Sequence, residues 1–97
     1  MNGGKCGKHC YGNIDKSKID KILAELKKAG CTVKGNNPWD VDTHKYGIKL
    51  RAEWTSSSNT LCIIVTDKDW YVPCSKIWDF IDPLLHHIQG LSEAEMK

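Results

Sequence analysis

No run of about eighteen apolar residues occurs in the chain, so nothing in it reads as a membrane-spanning helix. Its first residues, "MNGGKCGKHCYGN", hold no apolar stretch of the kind a secretory leader needs, and this predicts a cytoplasmic location. Internal repeats and low-complexity tracts are missing too. The five cysteines are an odd number, so they cannot all pair within one chain. Without a leader the expectation is reduced thiols. Cys31, Cys62 and Cys74 sit in apolar runs, where a free cysteine behaves as a small buried hydrophobe.

A second half to any metal-ligand pair is also wanting. Cys6, His9 and Cys10, in "KCGKHC", are donors that zinc prefers, but a structural zinc site needs four ligands. Downstream, Cys31, His44, Cys62 and Cys74 stand singly, with no second closely spaced pair. The segment is therefore read as a mobile tail with exposed thiols, and no metal or other cofactor is expected. "GGKCGK" falls short of a phosphate-binding loop as well, because the glycine spacing is one residue short and His9 replaces the required Ser or Thr. No acid, base and nucleophile converge by spacing, so the chain is not expected to be an enzyme.

What is present is ordinary globular material. Ninety-seven residues make one domain, with 40% hydrophobic and 27% charged residues. A chain of this size buries roughly 60–65% of its unfolded surface, enough for a core without much margin. Charge is unevenly spread. Residues 1–34 carry eight lysines against Asp15, Asp20 and Glu25, whereas residues 35–97 are net acidic.

The periodicity predicts two helices and a sheet. In "DKSKIDKILAELKKAG", Ile19, Ile22, Leu23 and Leu26 recur at helical spacing. Ser17 with Asp20 matches a capping box, Asp15 is an alternative cap, and Gly30 supplies the stop. "CTVKG" is a short strand, and residues 36–46 are an irregular loop. "IKLRAEW" alternates cleanly and pairs with "TLCIIVT", with Trp54 opposite Leu61, Ala52 opposite Ile63 and Leu50 opposite Val65. "WYVP" is a fourth short strand. In "SKIWDFIDPLLHHIQG", Pro83 either kinks the helix or opens a second one capped by Asp82.

The expected architecture is an α+β two-layer sandwich of order α-β-β-β-β-α. An antiparallel sheet of three to four strands has the N- and C-terminal helices on one face. Residues 1–12 are expected as a flexible tail, 13–90 as the domain and 91–97 as a frayed end.

Function is expected to lie on the sheet face away from the helices. There Lys49 and Arg51 accompany Cys62 and Ile64, an apolar spot that a solvated face should not carry. In the 36–46 loop, Trp39 is a candidate aromatic anchor. If that stretch is extended, Asp40, Asp42 and His44 alternate to one side, as hard ligands for a divalent cation or acceptors for a basic partner. The leading expectation is a non-enzymatic module that binds a protein partner or self-associates through these residues. A nucleic-acid-binding domain led by the basic first helix is the second reading, and a metal- or thiol-dependent enzyme the third.

Overall fold

The computed structural model describes residues 6–91. The chain runs β1 (Cys6–Tyr11), α1 (Lys16–Lys28), β2 (Thr32–Gly35), β3 (Trp39–Asp42), β4 (Lys49–Thr55), β5 (Thr60–Asp67) and α2 (Cys74–Gln89). One antiparallel sheet of five strands, ordered β1-β5-β4-β3-β2, carries both helices on a single face. The two-layer α+β architecture is that read from the sequence, with more strands.

Local chemistry accounts for α1. The Asp15 carboxylate accepts the Lys18 backbone N–H at 3.0 Å and caps the helix, while the Ser17 hydroxyl donates to Asp15. Ile14 and Ile19 flank that cap and are both fully buried, in the positions of a hydrophobic staple. At the other end Gly30 takes φ +95°, and the Cys31 N–H reaches back to the Leu26 carbonyl at 3.0 Å. The buried stripe is Ile19, Ile22 and Leu26.

Helix α2 runs through Pro83 as one element, so no second helix capped by Asp82 forms there. Proline removes one N–H donor, but Ile81, Leu85 and Ile88 on the opposite face stay packed in the core and hold the helix together. Asp82, free of any capping duty, turns to β1 instead.

The central hairpin has the expected register: Trp54 pairs with Leu61, Ala52 with Ile63 and Leu50 with Val65. Two other assignments change. Trp39–Asp42, read as part of a loop, is a strand lying between β2 and β4. "WYVP" is not a strand. Asp67 ends β5 and Cys74 opens α2, which leaves that segment to cross from the sheet to the helix layer.

The expected tail is also revised. From Cys6 onward it forms the edge strand β1, paired with β5. Two disulfides fix it, Cys6–Cys74 to the start of α2 and Cys10–Cys62 to β5. Four of the five cysteines are thus oxidised, contrary to the expectation of reduced thiols, and Cys31 alone is free. The partners lie 68 and 52 positions apart, so no local spacing announces them. An irregularity between Cys6 and His9 puts both residues on the helix side, while Cys10 points the other way. Residues 1–5 and 92–97 of the expected tails lie outside the described residues, and Leu91 packs against the core. No helix among the described residues is long and apolar enough to cross a membrane.

Candidate functional site

The two helices are tied to each other at one end. Where α1 begins and α2 ends, the buried Lys18 ammonium donates to the Gln89 carbonyl at 2.8 Å and to the Asn13 carbonyl at 3.1 Å. Asn13 also donates to the Gln89 carbonyl, and the Gln89 side chain donates to Gly12. Among the described residues, the Lys18–Gln89 contact is the only hydrogen bond between α1 and α2.

Toward the other end a cleft of about 490 Å³ opens between the layers. Trp39, Val41, Leu50, Ala52 and Ile63 form its floor, Ile22 and Leu26 one wall, and Ile77 and Ile81 the other. These are core side chains of both layers, each 8% exposed or less, so the cleft runs between the layers and reaches solvent only at its rim. Its size falls within the usual range for small-molecule sites, about 300–1,000 Å³.

Two loops and the first turns of α2 shape the mouth. In the β3–β4 turn the Thr43 hydroxyl donates to the Ile48 carbonyl at 2.9 Å and accepts the Lys45 N–H at 3.2 Å. The β5–α2 loop is tied to that turn by the Asp69 N–H, which donates to the Tyr46 carbonyl at 2.9 Å. Gly47, at φ +64°, lies against Asp69 so closely that a Cβ would sit 2.5 Å from its carboxylate oxygen. The result is a rim bearing Tyr46, Tyr71 and Phe80, each well over half exposed, with Lys45 and Lys76 beside them. Trp70 packs edge-on against Tyr71, and its ring is the most exposed large apolar group among the described residues, at 73%.

The sequence-derived candidates fall in other places. Trp39 does not project toward a partner: it is buried, with 7% exposure, because its strand alternates and turns Trp39 and Val41 inward. Asp40 and Asp42 face the open side, as the alternation required, and line a shallow hollow with Lys34, His44 and Lys49. His44 donates its backbone N–H to Asp42 at 2.9 Å, and its Nε2 lies 2.6 Å from the Thr32 hydroxyl. Arg51 lies 3.7 Å from Glu53. Ile64 is half-buried on this face, next to the Cys10–Cys62 bridge. The hollow therefore mixes two acids with two lysines.

Cys6, His9 and Cys10 do not converge as ligands, since both thiols are consumed in disulfides on opposite sides of β1. His9 instead stacks on Trp78, with centroids 3.7 Å apart, and its Nδ1 lies 3.3 Å from Asp82. The Tyr11 hydroxyl also donates to Asp82. That contact, followed by His9, holds the Asp82 carboxyl below its ordinary range. Burial first, then Asp82, pushes the Tyr11 phenol upward. The cluster braces β1 against α2 and does not line the cleft.

Cys31, the free thiol, does line the cleft, and burial pushes its pKa up, so it stays a neutral apolar group there. Sequence reasoning missed the cleft and its rim. Tyr71 of the rim was hidden by the reading of "WYVP" as a strand.

Fold and cleft together define a disulfide-braced, two-layer α+β domain with an apolar chamber opening between its layers. Comparison with protein-family models, with curated proteins and with solved structures finds no match.

Proposed function

We propose that this chain is a small non-enzymatic binding domain whose working element is the cleft between the helices and the sheet. The observation that carries the reading is the continuous apolar lining, drawn from both layers and reaching an aromatic rim. Core residues normally close on one another at crystal-like density, and a cleft of about 490 Å³ between the two layers favours an apolar occupant. The neutral state of Cys31 favours binding over thiol chemistry. Two disulfides favour an oxidising compartment over the cytoplasmic one expected from the sequence.

The nucleic-acid reading weakens at α1. Lys16 is paired with Asp20, Lys21 with Glu25, and Lys18 is buried. That leaves few of the helix's lysines to meet phosphates. The open sheet face remains a second site for a protein partner or a second copy, favoured by the half-buried Ile64 on a face with no second layer among the described residues.

Titration with dodecanol, followed by two-dimensional NMR, tests the cleft. Expected are shifts at the Trp39 indole and at the amides of Ala52 and Ile63, with Arg51 and Ile64 unmoved. A saturating titration that leaves the floor residues unshifted refutes the reading.

A further inference from the structure

We infer that the cleft takes an amphiphile with an anionic head, with its apolar body between the layers and that head at the rim beside Lys45 and Lys76. This rests on the reading of the cleft as a ligand site and adds the sign of the ligand's head group.

The first observation is the charge of the lining. Among the described residues, Lys45 and Lys76 are its only charged members, and neither has an ion-pair partner. The nearby acids, Asp69 and Asp42, keep their charge but lie outside the lining. Asp69 accepts the Tyr71 hydroxyl at 3.1 Å, and Asp42 accepts from His44 on the other face of the sheet. An anion at the rim therefore meets two cations and displaces no existing partner. A cation there would be repelled by both.

The second observation is where Lys76 stands. It lies in the first turn of α2, where the positive end of the helix dipole disfavours a lysine and favours an acid. That turn has no acidic residue, and Pro73 provides no side-chain cap. Helix stability alone would select the opposite charge. With an anion bound nearby, Lys76 and the uncompensated helix end act in the same direction.

The third is the division of the site. Polar groups gather at the rim, in Thr43, Lys45, Tyr46 and Tyr71, while the interior is aliphatic apart from Trp39 and Cys31. A ligand that fits this pattern has one charged end and an apolar remainder.

Three probes with the same chain, dodecanoate, dodecanol and dodecyltrimethylammonium, each kept below its micelle concentration, test the inference by calorimetry or NMR. Dodecanoate is expected to bind about tenfold tighter than dodecanol and the ammonium most weakly, as two partly solvated ion contacts would give. Added salt should weaken dodecanoate binding while leaving that of dodecanol nearly constant. In Lys45→Gln/Lys76→Gln the dodecanoate-to-dodecanol ratio should fall toward one. Equal affinities for acid and alcohol in the wild type, or preference for the ammonium, overturn the inference while the cleft reading survives. Failure of all three probes to bind overturns both, as does a sedimentation dimer that excludes them by seating a second copy on the rim.

Discussion

The Tyr11 hydroxyl donates to the Asp82 carboxylate across 71 positions of sequence, joining the edge strand β1 to the middle of α2. His9 approaches the same carboxylate from two residues earlier, so one acid gathers two side chains of β1. Removing it in Asp82→Ala should cost about 1–2 kcal/mol, at the low end for bonds to a charged acceptor because the site is partly exposed. The pH dependence follows from the depressed carboxyl. The contribution of Asp82 is fully present above its ordinary value of 3.8 and is lost as pH falls through the lower folded value. Urea midpoints of wild type and Asp82→Asn should therefore converge in acid and separate toward neutrality. Parallel curves at every pH would contradict this.

The two disulfides differ in access although they close loops of similar length. Each should contribute about 4 kcal/mol in the chain-entropy picture, too similar for loop length to rank them. Exposure ranks them instead, because Cys10 is exposed whereas Cys6 is only 7% accessible. Limiting reductant should open Cys10–Cys62 first, read by alkylation and peptide mapping. Earlier labelling of Cys6 and Cys74 would reverse the assignment.

Gly47 holds the rim in shape. Gly47→Ala meets both a left-handed backbone and the Asp69 carboxylate, so a loss of about 1 kcal/mol or more is expected. Because Asp69 also anchors Tyr46 and Tyr71, dodecanoate affinity should fall along with the melting temperature. A variant of unchanged stability would show that Asp69 yields freely.

Ile64→Lys separates the sheet face from the cleft. Ile64 is half-buried on the side away from the helices, so the change should alter stability by about 1 kcal/mol and leave dodecanol binding intact. Loss of self-association in sedimentation would identify the sheet face as an interface. Global unfolding would show that Ile64 belongs to the core.

The parts of the fold that were legible in the sequence are those whose determinants are local. Ile19, Ile22 and Leu26 repeat at helical spacing, and the β4–β5 register follows from alternation on both strands. Trp39–Asp42 carried the same period-two signal, but Pro38 before it and the acids within it read as loop chemistry. β1 had no such signal. Its glycines and lysines resemble a tail, and only pairing with β5 and two remote cysteines make it a strand. The cleft was not legible because it depends on how α1 and α2 sit on the sheet, a relation between elements distant in sequence. Of the candidate site, the sequence placed Asp40 and Asp42 on a common side, while for Trp39, read in a loop, it left partner contact and packing onto the domain equally open, and the strand turns it inward.

The two bridges are nested, since Cys10–Cys62 lies within the span of Cys6–Cys74. A peptidase that cuts the exposed turn at Lys45 or Tyr46 leaves two polypeptides still linked by both sulfur bonds and by the sheet between them. Cleavage there changes the number of chain ends without changing the number of molecules. The rim could thus be clipped and its loops loosened while the chamber behind it keeps its walls.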